Sequence, residues 1–139
     1  MKKAITIVAA ILLAGTPQIE AQTMIEKNNI TLNSDLMTPE SLWAMGRMGG
    51  AAASPNGKQI VYQVGYYSVE QNKGHQILYV MDSDGKNKKR LTTSTKSETD
   101  AAWIEGGRKI AFITDGQVWE MNVDGSCRRQ LTNSKADIE

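Results

Sequence analysis

Leu78-Tyr79-Val80-Met81-Asp82-Ser83-Asp84-Gly85, followed by Arg90-Leu91-Thr92, returns as Val118-Trp119-Glu120-Met121-Asn122-Val123-Asp124-Gly125 and Gln130-Leu131-Thr132. Working outward, Ala53-Ser54-Pro55-Asn56-Gly57-Lys58-Gln59-Ile60-Val61-Tyr62 has its counterpart in Trp103-Ile104-Glu105-Gly106-Gly107-Arg108-Lys109-Ile110-Ala111-Phe112. The copies match at both ends in the same order. A self-similar unit of this size indicates stacked or radial repeats. The alternative is an ordinary β-meander with chance similarity.

The offset between copies is 50 at Gly57/Gly107 and 40 at Gly85/Gly125, so the first copy carries ten extra residues. They fall across residues 65–74 and read as a lengthened hairpin loop, where insertions are tolerated. Pro55-Asn56-Gly57 and Glu105-Gly106-Gly107 supply turn chemistry. Residues 59–64 and 109–114 are β-branched, aromatic and largely apolar, which predicts interior strands buried on both faces. Residues 77–81 and 117–121 form the next strand, and Asp84-Gly85 and Asp124-Gly125 are hairpin turns. Residues 88–92 and 128–132 are polar outer strands with one anchoring leucine each. A further strand precedes each copy, at about 50–53 and 99–103. The expectation is an all-β chain: two four-stranded antiparallel blades of an incomplete β-propeller, preceded by a signal peptide and a short helix.

The chain has 139 residues, 40% hydrophobic, with formal net charge +1. Balanced charge offers no reason to expect a nucleic-acid partner. The Lys86, Lys88, Lys89, Arg90 group reads as a solvated turn and edge. Lys2-Lys3 and the apolar run 4–15 read as an export signal too short for a stable membrane anchor. Cleavage is expected after Ala21, leaving Gln22 first; a slightly earlier cut or an uncleaved anchor are the alternatives. The expected destination is the bacterial periplasm or the exterior. Cys127 is the only cysteine, so no disulfide forms within the chain and a free thiol beside a turn is expected. The organisation predicted is 1–21 signal peptide, 22–49 lead-in, 50–97 first blade and 98–139 second blade. Four blades need roughly 160–180 residues, so the chain is expected to be part of a longer protein.

In the lead-in, Thr38-Pro39-Glu40 reads as cap, first-turn proline and first-turn acid. The helix would run from residue 39 to about 45, end at Gly46, and pack Leu42, Trp43 and Met45 on the first blade; the alternative for Trp43 is the lining of a ligand site. Asn29-Ile30-Thr31 fits a glycosylation sequon, discounted for a bacterial source.

No chemistry is complete in these residues. There is no G-x-S-x-G elbow. His75, the single histidine, is expected to be solvated in the inserted loop. Asp82-x-Asp84-Gly85 begins like a calcium loop, but Lys86 occupies the next ligand position. Gly46-x-x-Gly49-Gly50 lacks the Lys-Ser/Thr of a phosphate loop and reads as a flexible joint. No catalytic, metal or cofactor-binding residue is assigned.

Residues 37–47, Met37-Thr38-Pro39-Glu40-Ser41-Leu42-Trp43-Ala44-Met45-Gly46-Arg47, followed by Ser54-Pro55-Asn56-Gly57-Lys58, resemble the propeller entry of secreted prolyl-oligopeptidase-family serine peptidases. The resemblance is to the bacterial dipeptidyl-peptidase-five and acylaminoacyl-peptidase branch, and Tyr66-Tyr67 with Asn72-Lys73 shares it. The S-P-D-G-K and D-G…R-L-T elements are similar to propeller repeats shared with TolB-like proteins. The resemblance implies a propeller that gates oligopeptide access to a C-terminal α/β-hydrolase domain bearing Ser, Asp and His, none of which has a counterpart here. Asn56 stands where the family has aspartate, and Ile104-Glu105-Gly106-Gly107 where it has Ser-Pro-Asp-Gly. The alternative function is a TolB-like periplasmic scaffold acting through protein contacts.

Overall fold

A computed structural model describes residues 23–27, 31 and 35–135. The expected signal peptide with its cleavage residues Ala21 and Gln22, and most of the sequon, lie outside the described residues. Helix α1 (Pro39–Ala44) is followed by β1 (Arg47–Ala53), β2 (Gln59–Ser68), β3 (Lys73–Asp82) and β4 (Lys89–Arg90). Then come β5 (Thr99–Ile104), a 3-10 turn (Glu105–Gly107), β6 (Lys109–Thr114), β7 (Gln117–Asn122) and β8 (Arg129–Gln130). The strands form two four-stranded antiparallel sheets in simple order, β1-β2-β3-β4 and β5-β6-β7-β8.

The sequence repeat is a repeat of hydrogen bonds. In the first sheet the Gly85 amide donates to Asp82 O and the Asp82 amide to Lys86 O; in the second, Gly125 donates to Asn122 O and Asn122 to Ser126 O. The Leu-Thr pair closes each unit alike. Leu91 N and Thr92 N both donate to Leu78 O, and Leu131 N and Thr132 N both donate to Val118 O. The threonine hydroxyls accept in return from Leu78 N and Val118 N at 2.8 and 3.0 Å. These geometries shorten the outer strands to two residues, less than the five expected. A bulge interrupts the first strand of each sheet, between Met48 and Ala51 and between Thr99 and Ala102.

One face of each sheet meets the other. Val61, Leu78, Val80 and Leu91 of the first unit interlock with Ile110, Phe112 and Met121 of the second. The expectation that β2 and β6 are buried on both faces is corrected by the burial pattern. Val61, Ile110 and Phe112 are buried on the face the sheets share, while their alternate neighbours are only partly covered. Trp103 Nε1 donates to Ala52 O at 2.9 Å across the sheet junction. Gly107 lies at φ +90° with Pro55 Cδ only 3.1 Å from where a Cβ would be, so a side chain there is strained and crowded.

Two further expectations change. The glycine stretch before the first blade is not a joint, since Gly49 and Gly50 lie within β1. The Gln63 side chain folds over Gly49, and a Cβ there would meet its Nε2 at 2.5 Å and would have to push it aside. The insertion is strand more than loop. Tyr66, Tyr67 and Ser68 pair with His75, Gly74 and Lys73, extending β2 and β3 to ten residues against six in β6 and β7. Four extra residues carry this hairpin about 13 Å beyond its counterpart, at about 3.3 Å per residue.

Candidate functional site: a cleft between the helix and the long hairpin

Helix α1 is short but well capped. The Thr38 hydroxyl accepts from Ser41 N at 3.2 Å, Ser41 Oγ accepts from Thr38 N at 2.9 Å, and Pro39 stands in the first turn. It does not bury its apolar residues as expected. Ser41 is its buried residue, while Leu42, Trp43 and Met45 remain over 40% exposed. The reciprocal bonds with Thr38 let Ser41 turn inward, and Trp43 lies against the hairpin rather than in the core. Its ring centroid is 4.9 Å from that of Tyr67, tilted by 39°. The Arg47 guanidinium sits over the same indole at 4.8 Å.

Between helix and hairpin lies an open cleft of about 520 Å³. Trp43, Tyr67, Pro39, Ala44 and Val69 make it largely apolar, and Glu40, Ser68 and Glu70 are its polar lining. The hairpin end is braced from within: Tyr67 Oη donates to Asn72 Oδ1, and Gln71 N donates to Ser68 Oγ at 3.1 Å. The Glu40 carboxyl is held below its ordinary value by a hydrogen bond from its own backbone N–H and a second from the Thr38 hydroxyl.

His75 is not solvated. It lies in β3, 2% exposed, with Nδ1 2.8 Å from Ile25 O and Nε2 3.1 Å from Lys96 O. Its place in the ladder explains this, because His75, Ile77 and Tyr79 share one face of the strand. The 23–27 segment crosses that face, where Arg90 meets Glu26 at 2.6 Å and the Met24 sulfur. Tyr62 and Tyr79 stack on the same side at 5.5 Å. Burial, followed by a hydrogen bond with Tyr66 that holds the neutral form, pushes the Tyr79 phenol up to about 12. His75 thus ties the lead-in and the inter-sheet linker to β3, and both ring nitrogens face backbone carbonyls rather than a hydroxyl nucleophile.

A second buried polar node joins the sheets. Glu98, 1% exposed, receives Arg128 Nη1 at 2.5 Å and the Thr92 hydroxyl at 2.9 Å; Arg128 Nη2 also donates to Leu91 O at 2.7 Å. The calcium-like aspartates belong to a turn: Asp84 Oδ1 accepts from Lys86 N and Asp82 Oδ2 from Asn87 Nδ2. Among the described residues no group of three or more acidic, histidine or cysteine side chains could hold a metal ion. Cys127 is exposed at φ +52° in the β7–β8 turn. Sequence reasoning missed the cleft, the burial of His75 and the Glu98–Arg128 node. Only the spacing His75-x-Ile77-x-Tyr79 gave a signal for the second of these.

No family model matches the chain. Two bacterial proteins named dipeptidyl-peptidase 5 do match it. The protein of Porphyromonas endodontalis is 40% identical over 112 residues, covering 78% of this chain and 16% of that protein. The protein of Porphyromonas gingivalis is 33% identical over 85 residues, covering 61% and 12%. The sequence relationship is to a peptidase family. This chain therefore spans less than a fifth of the length of these relatives. A solved structure of Pyrococcus horikoshii acylaminoacyl peptidase has the same fold over 68% of this chain and 15% of its own, with TM-score 0.58 and 13% identity. Among the described residues no helix is long and apolar enough to cross a membrane.

Proposed function

We propose that this chain is the N-terminal β-propeller portion of an exported bacterial serine peptidase of dipeptidyl- or acylaminoacyl-peptidase type. The observation that carries this reading is the 40% identity over 112 residues to a dipeptidyl-peptidase 5, joined to two repeated four-stranded sheets. On this reading residues 1–21 are an export signal cut between Ala21 and Gln22, and the mature protein works in the periplasm or outside the cell. Residues 22–49 lead in, and 50–97 and 98–139 are the first two blades. The propeller restricts entry to oligopeptides. A C-terminal α/β-hydrolase domain carries the Ser-His-Asp chemistry, in which the serine is acylated on the peptide carbonyl. No cofactor, nucleic acid or membrane anchor enters this scheme.

Two measurements test it. The DNA downstream of the Glu139 codon should encode further repeats and then G-x-S-x-G; repeats followed by a stop would instead favour the TolB-like scaffold. The purified 139-residue chain should not hydrolyse dipeptidyl or acyl-aminoacyl chromogenic substrates. Turnover by that chain, abolished by a serine-directed reagent, would overturn the assignment of catalysis to another domain.

A further inference from the structure

We propose that the cleft between α1 and the β2–β3 hairpin binds a long basic side chain, lysine or arginine, presented on an extended peptide. The lining carries three features that this ligand matches together. Trp43, Tyr67 and Val69 form an apolar surface on which several methylenes can lie. The Trp43 indole is a ring that attracts cations, as the Arg47 guanidinium 4.8 Å from its centroid shows. Glu40 and Glu70 are both exposed, and neither is in an ion pair among the described residues.

A neutral apolar side chain would use the floor and leave the carboxylates without a counter-charge. A bare ammonium at a peptide's amino terminus would reach a carboxylate but cover little of the aromatic surface. A four-atom stem ending in a cation uses both. At about 520 Å³ the open cleft has room for such a side chain and adjoining backbone. The site exists because the first hairpin is longer than the second. Tyr67, Val69 and Glu70 all lie in the stretch that has no counterpart between β6 and β7. The inference goes beyond the peptidase reading and does not rest on it.

The experiment titrates the full 139-residue chain, isotopically labelled, with short capped peptides followed by NMR. The probes are Ac-Ala-Lys-Ala-NH2 and Ac-Ala-Arg-Ala-NH2. Their comparators are the norleucine peptide, which keeps the stem without the charge, and Ala-Ala-NH2, which has only a terminal ammonium. The basic peptides should shift the Trp43 indole signal and the Val69 and Glu70 amides, and bind at least about fivefold more tightly than either comparator. The exposed double variant Glu40→Gln/Glu70→Gln should remove that advantage while norleucine binding stays the same. Trp43→Leu should weaken all the peptides. Equal binding by the norleucine peptide, an advantage that survives the double substitution, tighter binding of Ala-Ala-NH2, shifts confined to other parts of the chain, or no shifts at all would each overturn the proposal.

Discussion

Glu98 and Glu120 show how different two acids can be at the scale of single residues. Glu98 is enclosed and meets Arg128 and Thr92 at once. Glu98→Ala would leave the Arg128 guanidinium between the sheets without its counter-charge, at a cost of about 3 kcal/mol. Urea denaturation at pH 7 should show this as a lower midpoint with an unchanged slope. Glu120 is bonded first by Arg129, at 2.8 Å, and then by Lys109, at 3.1 Å, and both hold its carboxyl below the ordinary 4.5. A carboxyl depressed in the folded state contributes stability above its unfolded value and loses it as the pH falls through the folded one. Glu120→Gln should therefore be less stable than the parent at pH 7, and the difference should close as the pH drops from about 4.5 downward. Denaturation midpoints at pH 7 and about pH 3 check this; a gap that persists in acid would contradict the ion-pair account. Asn56, the departure from the family's aspartate, is explained by its contacts. Its Oδ1 accepts from the Ser54 hydroxyl at 2.8 Å and from Lys58 N at 3.0 Å, roles a carboxylate performs equally well. Asn56→Asp should leave the thermal midpoint unchanged or raise it slightly.

At the scale of elements, the strands and the two Asp-Gly turns were legible because their signals are local. Alternation and β-branching set the ladders, and the turn residues satisfy their own backbone groups within five positions. The ten extra residues were placed correctly, yet their conformation was not legible as a loop signal. Tyr66 and Tyr67 extend the ladder, while the chain reverses only across residues 69–72. Grafting Asp115-Gly116, which joins β6 to β7, in place of residues 65–76 should keep both sheets, as far-UV circular dichroism would show. It should abolish the cleft and free the 23–27 segment, which has lost His75. Faster amide exchange at residues 24–27 is the expected result, and unchanged exchange would deny His75 its tethering role.

At the scale of the whole molecule, the two sheets share one core. Phe112 is fully buried against residues of the first sheet. Phe112→Ala should cost about 3–5 kcal/mol and lower the unfolding midpoint reported from both sheets together. Two separate transitions, one for each sheet, would show that the shared core does not couple them. Trp103 to Ala52 and Arg128 to Leu91 add hydrogen bonds across the same junction. Each joins residues more than thirty positions apart, so no local pattern could announce them.

The sequence by itself determined the repeat, the strand order, the turns and the peptidase relationship, because each rests on short-range chemistry or on similarity read along the chain. Only the tertiary structure decided which faces are covered and what the polar residues touch. His75 moved from solvent to a buried tie, Trp43 from the core to an exposed cleft, and Glu98, which had no assigned role, lies buried at the junction of the sheets. The reason is the same in all three. Burial depends on what packs opposite, and the opposing groups come from the lead-in, the long hairpin and the second sheet, all distant in sequence.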